Sequence, residues 1–207
     1  VIAVDPTDLT RPQLGELALG LVAPRPIAWV STLSADGVPN LAPFSFFNLF
    51  STAPATLAVG PGSRRGINKD SLANIRATGE FVVNVVTEEL ARLANMTSAE
   101  VEPSVDEWSL AGISSRASTM VAPRAVAESP ASLECRVLQI VELSDDSELP
   151  TNALVIARVL CIVVDESVLD DRETYRVDPA KVALVARMGG DLWCRSRDVF
   201  ELARPKT

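Results

Sequence analysis

Histidine is absent from all 207 residues of this sequence, and no other feature of the composition removes as much chemistry. Ser-His-Asp and Cys-His nucleophilic arrangements cannot be built without imidazole, and nearly all ordinary zinc and haem sites go with them. Acid-base work falls to carboxylates, Lys, Tyr or water, or to a cofactor whose chemistry asks little of side chains. Cysteine is scarce as well. Cys135, Cys161 and Cys194 are odd in number, far apart and without a C-x-x-C pair, which reads as buried reduced thiols in a reducing compartment. No apolar run approaches the ~20 residues of a membrane-spanning helix. Val1 to Thr10 carries two aspartates and lacks the basic and apolar regions of a signal peptide, so the expectation is a cytoplasmic protein that spans no membrane. Basic charge is in deficit, with 27 acidic residues against 19 basic and a formal net charge of -8. Phosphate backbones attract basic faces, so no nucleic-acid partner is expected, and any anionic ligand must find a local basic cluster.

What is present is enough apolar material for a core, 47% of residues, in a length that fits one domain spanning 1–207. Thr10-Arg11-Pro12-Gln13 predicts a capped helix start, with the helix running to about Leu19. Ile27 to Leu33 predicts a strand, and Asp36-Gly37 the hairpin turn into a second strand from Val38. Pro39 and Pro43 cannot donate to a ladder, which places that second strand at an edge or interrupts it. Ala55 to Val59 is a third apolar run. Lys69 to Thr78 predicts a helix stopped by Gly79, and Glu80 to Val86 a buried strand with a helix starting at Thr87-Glu88-Glu89. Residues 97–130 read as a long excursion with a short helix near Val105 to Leu110. Leu133 to Leu143 and Leu154 to Val164 predict two strands around a hairpin loop at Ser144 to Asn152; the second is nearly continuous in apolar residues and is expected to be covered on both sides. Asp178-Pro179 predicts a final helical segment ending near Gly189-Gly190. Short antiparallel strands with helices between them indicate a mainly β barrel decorated by helices, not a doubly wound sheet.

Arg64, Arg65 and Lys69 lie within six positions in an otherwise acidic chain, beside the glycines of Gly60 to Gly66. Glycines let backbone N–H groups approach an anion, guanidinium groups grip phosphate oxygens in pairs, and the helix opening at Lys69 to Ser71 adds its positive end. The stretch reads either as a phosphate site or as a solvated turn. It matches neither the P-loop spacing nor the G-x-G-x-x-G fingerprint. Ser31, Thr32 and Ser45 offer hydroxyls near turns, and Asn48 and Asn84 could bond a heterocycle or a neighbouring turn. Phe44, Phe46, Phe47, Trp29 and Trp193 could flank a planar ring or pack a core.

Pro24 to Thr32 (PRPIAWVST), followed by Asp36 to Asn48 (DGVPNLAPFSFFN), resembles the flavin reductase-like, FMN-binding split-barrel family. Lys69 to Ile75 (KDSLANI), Thr78 to Asn84 (TGEFVVN), Ser129-Pro130 with Leu133-Glu134-Cys135, and Arg187-Met188-Gly189-Gly190 resemble that family's later blocks in the same order. The resemblance implies a six-stranded antiparallel split β-barrel, a homodimer, and one FMN per subunit near the dimer interface. It further implies that Trp29, Val30, Ser31, Thr32 and Ser45, Phe46, Phe47, Asn48 line the flavin and its ribityl chain. Ser63, Arg64, Lys69, Asp70 and Ser71 fall on the phosphate side, and Gly189 and Trp193 near the ring. The chemistry implied suits a chain without histidine, because flavin accepts hydride directly from NAD(P)H and no side-chain nucleophile is required. Three readings stay open: an NAD(P)H-dependent flavin reductase serving a partner oxygenase, an enzyme that keeps its FMN and reduces an organic substrate, and an FMN-bearing electron carrier.

Overall fold

A computed structural model describes residues 1–64, 67–99, 106–143 and 152–205, apart from the side chains of residues 63, 64, 67 and 68. Seven strands form the main sheet: β1 (Ala28–Leu33), β2 (Pro39–Phe44), β3 (Phe47–Thr52), β4 (Ala55–Val59), β5 (Glu80–Asn84), β6 (Ala131–Leu143) and β7 (Asn152–Val164). They pair antiparallel in the order β2-β1-β5-β6-β7-β4-β3. Laid flat at the usual strand spacing, the two outer strands would stand roughly 29 Å apart. Yet β2 and β3 are consecutive in the chain and joined only by Ser45 and Phe46, which limits Phe44 and Phe47 to about 11 Å. The sheet therefore curls until its edges approach, and the described ladders do not close it. The main sheet has seven strands where six were expected, the additional one lying in the segment after Ser45.

Inside the curl lie Val30, Phe44, Leu57, Val59, Phe81 and Val83, and Leu72 and Ile75 of α2 (Asp70–Thr78, the second helix after α1, Arg11–Leu21) fill one side. Each such buried side chain contributes roughly 1.5–3 kcal/mol. The opposite face of β1 is also covered: Trp29 joins Leu41, Val86 and Trp108 in a second cluster under α3 (Ala91–Met96) and α4 (Glu107–Ala111). Burial on both faces fits the apolar residues Ile27 to Val30, and the strand expected over 27–33 is seen at Ala28–Leu33. Pro43 is tolerated because β2 pairs only with β1 and its other side is free of the ladder.

Local signals held where the local chemistry was complete. Thr10 caps α1 through a reciprocal pair, with its hydroxyl accepting from Gln13 N at 3.4 Å and its own N–H donating to Gln13 Oε1 at 3.0 Å. Gly79 ends α2 at φ 71°, a left-handed conformation costly to other residues. Other expectations need correction. The helix expected at Thr87 starts at Ala91, because Thr87 is held in an isolated bridge to Leu184. The final helical segment is only Pro179–Val182, after which Val185–Arg187 becomes a strand pairing with Arg25–Pro26 and Trp193–Arg195. Strand β7 is not covered on both sides: its burial alternates along its first half, and Ile162 is 60% exposed. The hairpin loop at 144–151, Arg65-Gly66 and the start of the helix expected at Val105 lie outside the described residues.

Candidate active site at the barrel seam

The short chain between the sheet edges is where separate parts of the sequence meet. Phe44 closes β2 with its ring in the core, and Gly60 N donates to Phe46 O at 2.7 Å, tying the connector to the end of β4. Gly60 allows a close crossing here, since a Cβ there would stand a tight 3.2 Å from Phe46 Cβ. In the connector Phe46 is 56% exposed, and beyond it Phe47 is half-buried and Asn48 exposed. Asn48 Oδ1 accepts from Leu49 N at 2.8 Å, which leaves its Nδ2 as a donor.

Beside Phe44 and Ser45 opens a cleft of about 220 Å³, walled by Ile27, Pro43, Asn95, Ser98, Arg187 and Trp193. Trp193 also borders a second, more open recess with Arg92 and Met96, so its half-buried ring stands between the two. Arg187 lies over that ring, 5.2 Å from its centroid, and donates to Gly190 O at 2.7 Å. Gly189 packs against α1, where a Cβ would lie 3.3 Å from Gly20 Cα. Phe44 also meets Lys69, whose ammonium lies 5.1 Å from the centroid of the ring. Lys69 and Asp70 are exposed where α2 begins, with the amides of Leu72 and Ala73 returning to Lys69 O. Ser63 and Arg64 lie in a two-residue strand pairing with Ile67–Asn68.

Several residues expected along the flavin have their side chains engaged inside the protein. Trp29 is fully buried and donates Nε1–H to Thr97 Oγ1 at 2.9 Å, and Val30 lies in the barrel interior. Ser31 donates to Arg124 O at 2.5 Å, and Thr32 accepts from Asn74 Nδ2 at 3.0 Å. Asn84 is equally committed, donating to Trp29 O at 3.0 Å and accepting from Val126 N at 2.8 Å. Ser71 is buried beside Asn40. Turning the Asn40 amide lets its oxygen accept from Ser71 Oγ at 2.8 Å and Leu41 N at 3.2 Å while its nitrogen donates to Glu107 Oε1 at 3.3 Å. Burial pushes the Glu107 carboxyl above its ordinary pKa, and the nearby Asp70 and Asp106 push it the same way. The chain thus brings together Ser45 and Trp193 in the cleft, with Lys69 over the Phe44 ring, while the side chains of Trp29, Val30, Ser31 and Thr32 on β1 are engaged inside the protein.

Reading the sequence missed Arg25, Asn95, Ser98 and Arg187. Arg25 and Arg187 stand within the resemblance blocks and carried a signal; Asn95 and Ser98 did not, because only the fold brings α3 to the cleft. Also unforeseen was Glu134, a fully buried carboxylate that accepts from the amides of Thr119 and Met120 and so anchors the 117–124 loop. Among the described residues no helix is long and apolar enough to cross a membrane, and no cluster of metal-ligating side chains occurs.

Known proteins agree with this architecture along the whole chain. An uncharacterised protein of Aquifex aeolicus is 36% identical over 184 residues, covering 88% of this chain and 90% of its own. The crystal structure of nitrilotriacetate monooxygenase component B from Bacillus cereus superposes with a TM-score of 0.92 at 27% identity, covering 98% of both chains. The 2-nitrobenzoate 2-nitroreductase NbaA of Pseudomonas fluorescens follows at 0.87 and 27% identity, over 99% of this chain and 96% of that one. A split-barrel structure from Shewanella frigidimarina, at 0.80 and 18% identity over 98% and 96%, shares the fold. Residues 21–184 match the flavin reductase like domain. With the seam, the cleft and these likenesses together, the chain belongs to the flavin reductase-like family of mainly β, split-barrel flavoproteins.

Proposed function

We propose that this protein is an FMN-binding, NAD(P)H-dependent flavin reductase that works as a homodimer and supplies reduced flavin to a partner oxygenase. One observation carries the reading: residues far apart in the chain, Ile27 to Ser45, Lys69, and Arg187 with Trp193, meet around Phe44. The residues present fit such a cofactor. An aromatic wall at Trp193 and Phe44, an exposed donor at Asn48 and a cation at Lys69 match a flat ring at one end and a phosphate at the other. Ser45, Phe46, Phe47 and Asn48 would hold the ring and ribityl chain against the strand carrying Trp29, Val30, Ser31 and Thr32. Ser63, Arg64 and Lys69 would meet the phosphate with the amides of Asp70 and Ser71 at the start of α2, and Gly189 and Trp193 would border the ring. When bound, FMN accepts a hydride from reduced nicotinamide and returns the electrons to an acceptor. The protein's own part is to hold two rings face to face, exclude water and aim donors where negative charge develops. The likeness to a monooxygenase component B favours a partner oxygenase, and that to a nitroreductase favours the second reading, a retained FMN that reduces an organic substrate.

Comparing FMN with riboflavin tests the reading. The protein should bind FMN more tightly, and replacing Arg64 and Lys69 together by Ala should abolish the preference while leaving the fold intact. Equal affinity for the two flavins would sink the phosphate assignment. Oxidation of NADH or NADPH with and without added free flavin then separates the functions: stimulation by free flavin marks a reductase, and turnover only with an organic acceptor marks the alternative.

A further inference from the structure

A hairpin in the excursion after α4 lies across the outer face of three strands. Its short arms pair Ser115 with Val126 and Arg116 with Ala125, and residues 117–124 between them form no helix or strand. In the barrel wall beneath, Ser31, Val82 and Glu134 are register partners on β1, β5 and β6, with Trp29, Asn84 and Ser132 as the next row. Alternation turns both rows away from the interior that Val30, Val83 and Cys135 fill. The hairpin grips a polar group on every one of these strands. On β6, the Glu134 carboxylate accepts from Thr119 N at 2.9 and 3.0 Å and from Met120 N at 2.6 Å, and Ser132 accepts from Arg116 at 2.7 Å. On β5, Asn84 accepts from Val126 N while its amide nitrogen holds Trp29 O of β1, and Glu80 accepts from Ala122 N at 2.9 Å. On β1, Ser31 donates to Arg124 O at 2.5 Å. Apolar anchorage is slight, since of residues 117–124 only Val121 joins a hydrophobic cluster, with Val82 and Ala125. Glu134 is therefore the main hold on the loop. It is fully buried, and among the described residues no basic side chain pairs with it, so its charge is answered by the loop amides.

We propose that Glu134 is a positioning residue for the flavin site: its carboxylate docks the 117–124 loop, and the docked loop, through Arg124 O and Ser31, sets the place of β1. The proposal rests on the flavin reading above, in which β1 backs the ring and ribityl chain. Ser31 is tied to the loop, so what it gives that site is the position of its strand. Undocking is a local opening and not unfolding, because β1 keeps its ladders to β2 and β5. Coupling of this kind is reciprocal. If the docked loop favours FMN binding, bound FMN favours the docked loop by the same factor.

The test joins FMN titration to amide hydrogen exchange on the full-length protein. In the parent, saturating FMN should slow exchange at Thr119, Met120 and Ala122 about tenfold, and by more than at the core amides of Leu57 and Val155. Glu134→Gln keeps the shape and removes the charge. Without FMN it should speed exchange at Thr119 and Met120 while the core amides hold, and it should weaken FMN binding about tenfold. Glu134→Asp, which keeps the charge on a shorter stem, should recover part of both. Val168→Ala, at a buried residue outside the hairpin and the site, lowers stability and should leave FMN affinity unchanged. If Glu134→Gln does not fold, the measurement on the parent decides alone. Unchanged FMN affinity in the Gln variant, or no selective slowing in the parent, would overturn the proposal and leave the flavin reading standing. A parent that binds no FMN would remove the flavin reading and the proposal with it.

Discussion

Glu107 shows how one side chain couples the polar cluster under α4 to stability. Its carboxyl is raised chiefly by burial, against backbone hydrogen bonds that include one from Leu41 N at 3.4 Å, with Asp70 and Asp106 adding a smaller upward push. The folded protein therefore holds that proton more tightly than the unfolded chain does. Stability is fullest below the unfolded carboxylate pKa and declines as pH rises through the folded one. Glu107→Gln keeps the shape and removes the charge, so at pH 7 the variant should be more stable than the parent. The advantage should shrink to nothing as pH falls through the ordinary carboxylate range, and urea midpoints measured at several pH values check it. At this scale the sequence was a partial guide. Hydroxyls at Ser31 and Thr32 and the amide of Asn84 were visible as polar groups near turns. Their engagement inside the protein was not, because their partners are Arg124 O, Asn74 and Val126 N, up to 93 positions away.

Helix α1 and the turn after Val185–Arg187 meet through two glycines that are not equivalent. A Cβ on Gly20 would meet nothing within 4 Å, whereas one on Gly189 would press on Gly20 Cα at 3.3 Å. Gly20→Ala should therefore stabilise by up to about 1 kcal/mol through helix propensity. Gly189→Ala should destabilise by about 1–3 kcal/mol through overpacking. Opposite shifts in the thermal midpoint are the expected outcome, and shifts of the same sign would refute the contact. Elements with a complete local code, such as α1 with its capping box and α2 with its Gly79 stop, were legible from sequence. Strand β3 was not, since Leu49 and Phe50 are exposed on it and no alternation marks a buried face. The end of the chain misled for a related reason: after Val182 the backbone leaves the helix at Ala183, in a left-handed conformation that its side chain does not advertise.

For the molecule as a whole, the open seam and its apolar surroundings bear on assembly. Phe46, Leu49 and Phe50 are 56%, 48% and 69% exposed within five residues of the connector and edge strand β3. Such a patch at a sheet edge is a liability unless it is covered. If a second copy covers it, as the proposed homodimer requires, sedimentation at micromolar concentration should give a dimer, and Phe50→Glu should shift it towards monomer while weakening FMN binding. A monomeric parent protein would contradict the dimer and leave the fold assignment untouched.

The contact between Gly20 and Gly189 also has a mechanical meaning. Helix α1 and the last short strands lie on the same side of the molecule, held together by that contact and by the Arg25 bonds to Leu19, Val22 and Met188. A force applied through the segments before α1 and after Trp193–Arg195 would load this small junction first. It would peel the junction apart bond by bond before reaching the seven-stranded sheet, where β6 and β7, thirteen residues each and paired from Ala131–Val164 to Leu143–Asn152, form the longest ladder left to open. An unfoldase pulling on either end would therefore dismantle the Arg187 cleft while the barrel interior was still intact.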